Sequence, residues 1–75
     1  MPKLPILRPR ELMKAAKKAG FHYELTHGSH FIFRRPLDGK LLSIPSHKGK
    51  TLGRGITKAI VKDMGLTDKD FLKLL

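Results

Sequence analysis

The spacing of apolar residues changes along the 75-residue chain, and each change marks an element. Residues 1–7 are broken by Pro2 and Pro5 and keep no period, which predicts an extended leading segment with Leu4, Ile6 and Leu7 available to pack. From Pro9 the period becomes helical. Proline suits a first helical turn, where its missing N–H would be unpaired anyway, and Glu11 favours the positive helix end. Leu12, Ala15, Ala16 and Ala19 recur at i, i+3, i+4 and i+7 as a narrow apolar stripe, with Lys14, Lys17 and Lys18 off it. Gly20 closes this helix as its C′ residue.

The period then drops to two. Phe21, Tyr23 and Leu25 alternate with His22, Glu24 and Thr26, which is the pattern of a half-buried strand. After His27-Gly28-Ser29, read as a three-residue loop, Phe31 and Phe33 alternate with His30, Ile32 and Arg34, and a third run sets Leu42 and Ile44 against Leu41, Ser43 and Pro45. Asp38-Gly39 between the last two runs predicts a two-residue hairpin turn. That turn sets Arg35 against Leu42, Phe33 against Ile44 and Phe31 against Ser46, with His47 across from His30. Tyr23, Leu25 and the phenylalanines then share one face with Leu42 and Ile44, and His30, Ile32, Arg34, Ser43 and Pro45 share the other.

A second helix is expected from about residue 54 to Met64, with Ile56, Ala59, Ile60 and Met64 as its stripe and Gly65 closing it. Thr67 and Asp70 form a capping pair for a last short helix carrying Phe71, Leu72 and Leu75. The fold class is α+β: one domain over residues 1–75, a three-stranded antiparallel sheet with helices on one face in the order α-β-β-β-α-α.

Charge narrows the partner. Sixteen Lys and Arg against six Asp and Glu give a net charge of +10, and so compact a domain tolerates that self-repulsion best beside a polyanion, by default nucleic acid. Without cysteine, neither a disulfide framework nor a thiolate metal site supports the fold. No long apolar run or secretory h-region is present, and the basic residues do not lie on one long amphipathic helix, so a cytoplasmic protein with no membrane role is expected.

His30 is the first candidate for chemistry, because it follows a Gly-Ser turn and lies on the strand face that the phenylalanines do not occupy. An imidazole can take and return the proton that attack by a ribose 2′-hydroxyl on its phosphate requires, with nearby cations stabilising the charge that develops. From spacing alone, a polar strand residue or a phosphate contact is the favoured reading of His30. The run Pro45-Ser46-His47-Lys48-Gly49-Lys50 at the mouth of a helix reads evenly as a phosphate cradle or as a solvated basic loop. No Asp, Glu or Cys joins the histidines at a ligand spacing, so no metal site is expected. Phe31 and Phe33 read as core in preference to a base-stacking platform, since four Phe and one Tyr are all the aromatic volume there is.

Gly20-Phe21, Gly28-Ser29-His30 followed by Phe31-Ile32-Phe33, Ile44-Pro45-Ser46-His47-Lys48-Gly49-Lys50 and Gly55 opening a helix together resemble the HicA toxin family, over nearly the whole chain from Arg8 to Leu75. The resemblance implies a double-stranded-RNA-binding-domain-like fold and an mRNA interferase, an endoribonuclease that inhibits translation and uses no metal or other cofactor. It maps the catalytic histidine onto His30 and implies a HicB-type antitoxin as protein partner, with mRNA as substrate. Ser29, Lys14, Lys17, His47, Lys48, Lys50 and Arg54 are then the expected RNA contacts. Gly55-Ile56-Thr57 and Ser46 depart from the family's usual residues, at helix packing and RNA contacts. The alternative is a non-catalytic RNA-binding module of the same fold.

Overall fold

The chain, described over residues 4–47 and 50–75 by a computed structural model, begins its first helix where the sequence supplies both halves of a start signal. Pro9 presets the first turn, and Glu11 Oε1 accepts the Arg8 backbone N–H at 3.0 Å. Six elements follow one another: α1 (Pro9–Lys18), β1 (His22–His27), β2 (His30–Arg35), β3 (Lys40–Pro45), α2 (Arg54–Asp63) and α3 (Asp68–Leu72). The fold is α+β, with a three-stranded antiparallel sheet in the order β1-β2-β3.

The two long helices end alike. At the close of α1, Gly20 takes φ +94°, which brings the Phe21 N–H to the Ala16 carbonyl and the Gly20 N–H to the Lys17 carbonyl, both at 3.0 Å. After α2, Gly65 at φ +79° lets the Leu66 and Gly65 N–H groups reach the Val61 and Lys62 carbonyls in the same pattern. Both are Schellman ends, and each throws an apolar residue back onto its helix. Thr67 Oγ1 caps α3 by accepting the Asp70 N–H at 3.1 Å, as the sequence predicted.

The core lies between the helices and one side of β2 and β3. Leu12, Ala15 and Ala16 of α1, Phe33, Leu42 and Ile44 of the sheet, Ile60 and Val61 of α2, and Phe21, Met64 and Phe71 are buried there. The leading segment joins through Leu4 and Leu7, with the Leu52 N–H donating to the Leu7 carbonyl at 2.7 Å. Ile6 stays exposed. The resulting plate measures 34 × 31 × 16 Å.

Four expectations are corrected. The β2–β3 turn spans residues 36–39, so Arg35 faces Lys40, Phe33 faces Leu42, Phe31 faces Ile44 and His30 faces Pro45. Asp38 accounts for the longer turn: it takes the Arg35 guanidinium in two hydrogen bonds at 3.0 and 2.7 Å and the Lys40 N–H at 3.2 Å, and the Gly39 N–H donates to the Arg35 carbonyl. The register slides by two residues, which preserves every face but leaves His47 beyond the ladder instead of opposite His30. In β1, a bulge between Tyr23 and Leu25 pairs Leu25 with Ile32, on the side away from the helices. Tyr23 stays on the helix side, edge-on to Phe31 and Phe33, but it is half exposed because α1 and α2 pack over β3 and leave β1 bare. On α2 the buried stripe is Thr57, Ile60, Val61 and Met64, one residue round from the expected one, with Ile56 and Ala59 outside. Val61 decides the rotation, because the stripe that includes it must take Thr57 inward in place of Ile56. Leu75 is likewise half exposed.

Two outcomes follow for stability. Thr57 Oγ1 is buried and has no hydrogen-bond partner among the described residues, and an unmet hydroxyl in an apolar core costs about 1–3 kcal/mol. Thr57→Val is therefore expected to stabilise the domain by about 1 kcal/mol, read as a higher denaturant midpoint at unchanged slope. Asp38 is held down at a pKa of about 2 by the Arg35 hydrogen bonds and, less, by the Lys40 N–H. Its folded value lies below its ordinary 3.8, so its contribution is complete above that pH and is lost as the pH falls towards 2. The stability difference between the wild type and Asp38→Asn should therefore hold constant above that window and close as the pH falls through it, read by denaturant melts at each pH.

Candidate active site and nucleic-acid interface

The turn that carries His30 is set by one glycine. Gly28 takes φ +62° at the first central position between His27 and His30, the backbone of a two-residue II′ hairpin turn in place of the expected three-residue loop. Ser29, partly buried, accepts the Ser46 N–H on its carbonyl at 2.7 Å, which ties the turn to the chain leaving β3.

His30 opens β2 on the side of the sheet that no helix covers, and its side chain is exposed. Nδ1 lies 3.1 Å from Ser43 Oγ, which fixes the ring over β3. In the tautomer whose Nδ1–H donates to Ser43, the lone pair stands on Nε2, where a substrate proton can be received. Ladder alternation places His22, Leu25, His27, Ile32, Arg34, Leu41, Ser43 and Pro45 on the same outer side. Leu25 and Leu41 are exposed there beside Arg34, so this face presents apolar surface around its imidazoles.

The lysines of α1 lie on the other side. Arg10, Met13, Lys14, Lys17 and Phe31 line a cleft of about 450 Å³ whose floor is apolar and whose rim is cationic. Among the described residues none of these three cations is in an ion pair. Phe31 follows His30 directly, so the cleft and the imidazole meet at the turn end of the sheet from opposite sides. Arg10 was not singled out from the sequence, although its spacing to Lys14 and Lys17, i, i+4 and i+7, is one helical stripe. Phe31, expected as core, is only partly buried and forms part of this floor.

His47 and Lys50 are exposed and line a second cleft of about 450 Å³ with Arg8, Pro9, Arg10, Glu11, Met13 and Ser46. Arg10 and Met13 belong to both clefts, so the basic surface is continuous from α1 to the chain after β3. Arg54 is differently employed: its Nε donates to the Leu4 carbonyl at 3.0 Å, clamping the leading segment. Lys48 lies outside the described residues. No three His, Cys, Asp or Glu side chains converge as a metal site among the described residues, and no helix is long and apolar enough to cross a membrane.

Residues 9–66 match the family described as HicA toxin of bacterial toxin-antitoxin. The chain belongs to the HicA toxin family. A protein of Pseudomonas fluorescens (strain Pf0-1) named "Probable mRNA interferase HicA" is 38% identical over 58 residues, which cover 77% of this chain and 93% of that protein. The HicA match runs from the first residue of α1 through Gly65 and Leu66 and so contains the Gly28 turn, His30, Ser43 and the α1 cations. Helix α3 lies beyond it.

Proposed function

We propose that this HicA protein is an mRNA-cleaving endoribonuclease in which His30 moves the proton during attack of a ribose 2′-hydroxyl on the adjacent phosphate. What carries the reading is one observation: an exposed imidazole, hydrogen-bonded through Nδ1 to Ser43, opens the strand whose next residue, Phe31, lines the basic cleft of α1. Lys14 and Lys17 with Arg10, and His47, Lys48 and Lys50, hold the phosphates on either flank, and Ser29 positions the backbone at the turn. Arg54 adds its charge from the α2 mouth. The name of the Pseudomonas relative supports mRNA as the substrate.

The reaction needs no metal, since cations and imidazole supply charge stabilisation and proton transfer. A HicB-type antitoxin silences the toxin in the cytoplasm, and the exposed Leu25 and Leu41 around His30 support a protein lid over the outer face.

Paired expression of the wild type and His30→Ala tests this reading. The wild type should arrest growth and fragment total mRNA, a neighbouring HicB-type gene should rescue growth, and His30→Ala should do neither harm. Purified protein should cut RNA undiminished in excess EDTA. Protein that binds RNA and leaves it intact in every buffer would make the chain a binding module of the same fold.

A further inference from the structure

His47 is too far along the chain to stand opposite His30, yet another imidazole does. His27 is the ladder partner of His30, and the two flank the Gly28-Ser29 turn directly. Directly opposed residues of an antiparallel pair point to the same side, with Cβ atoms about 4.5–5.5 Å apart. The bulge at Glu24 is what makes this so. It shifts the end of β1 by one residue, which places Leu25 and His27 on the outer side and Thr26, whose hydroxyl meets Tyr23, on the inner one. Both imidazoles are exposed.

We infer that His27 is the second catalytic residue of this site, the general acid that protonates the leaving 5′-oxygen while His30 acts as general base. The inference rests on the ribonuclease reading above. Two imidazoles side by side can sit at opposite oxygens of one phosphate, each within the roughly 2.6–3.2 Å that proton transfer requires. His30 Nε2 takes the proton from the 2′-hydroxyl, the 2′-oxygen–phosphorus bond forms, the phosphorus–5′-oxygen bond breaks, and the His27 imidazolium gives its proton to that oxygen. The products are a 2′,3′-cyclic phosphate and a 5′-hydroxyl, and exchange of protons with water resets the pair. The other titratable groups of this face are His22 and Arg34, with Glu24 at the bulge and His47 beyond β3. β3 contributes the uncharged Leu41, Ser43 and Pro45, and no helix packs there.

The test compares wild type, His27→Gln and His30→Gln on an ordinary RNA and on the same RNA carrying a sulfur in place of the bridging 5′-oxygen. A thiol of pKa roughly 8.5 leaves as the thiolate without an acid. His27→Gln should cut ordinary RNA about 10²- to 10⁴-fold more slowly, lose the alkaline limb of a bell-shaped pH profile, and recover to near wild-type rate on the sulfur substrate. His30→Gln should be slow on both. His27→Gln acting like the wild type on ordinary RNA, or equally slow on both substrates, overturns the assignment. Wild-type protein that cuts neither RNA sinks the ribonuclease reading itself.

Discussion

Purified His30→Ala protein is expected to cleave RNA about 10²- to 10⁴-fold more slowly than the wild type, the usual worth of a positioned acid or base, and to bind RNA as before. The two halves of this expectation separate because the binding charge lies elsewhere. On the proposed reading the phosphates are held by the cations of the α1 cleft and of the chain after β3, whereas His30 sits on the outer side of the sheet with one ring nitrogen on Ser43. Affinity measured over a range of salt should therefore keep its slope, about −0.7 per phosphate neutralised on a single strand. The exposed position also protects the fold, since surface substitutions usually change stability by no more than about 0.5 kcal/mol. Single-turnover cleavage and anisotropy titrations on the same preparation check both halves. A variant that cuts RNA at the wild-type rate would remove His30 from the chemistry.

The largest loss of stability is expected at a residue that takes no part in that chemistry. The Arg35 guanidinium donates to the Ala19 carbonyl at 3.4 Å and the Met64 carbonyl at 3.2 Å, the two residues that end α1 and α2. It also pairs with Asp38 at 2.7 Å and lies 4.6 Å from the centre of the Phe21 ring. One side chain thus meets the negative ends of two helices, a hairpin turn and the core, with only 16% of its surface exposed. Charge-assisted hydrogen bonds of this kind are worth about 1.5–3 kcal/mol each and are not additive. Arg35→Ala should cost about 3 kcal/mol, which for a domain of this size lowers Tm by roughly 12–24 °C. Arg35→Lys should recover only part, because an ammonium cannot fork between two carbonyls and a carboxylate. An Arg35→Ala melt within a few degrees of the wild type would show that the helix ends stand without it.

What could be read from the residues was local. Pro9 with Glu11, the glycines at 20 and 65, and Thr67 with Asp70 act within a few positions of themselves, so their elements form where the spacing places them. The face of His30 was also legible, because the sheet period is two and the hairpin register slid by two. Its neighbours were not. Asp38-Gly39 reads as a tight turn until Arg35 is seen to close a wider one, and nothing in His22 to Thr26 signals the bulge that exchanges Leu25 for Tyr23 and turns His27 outward. Arg35 itself reads as one more surface cation, since its partners come from sequence positions 16 and 29 residues away.

A body only 16 Å through holds one layer of strands and one of helices. On the ribonuclease reading, so thin a slab leaves its histidine side and its lysine side within reach of one strand of RNA. A pliable, unpaired stretch can bend round the rim and engage the histidine side and the lysine side together, whereas a stiff duplex lies along one of them. On the same reading, an antitoxin would need no plug: a flat cover over the histidine side would be sufficient.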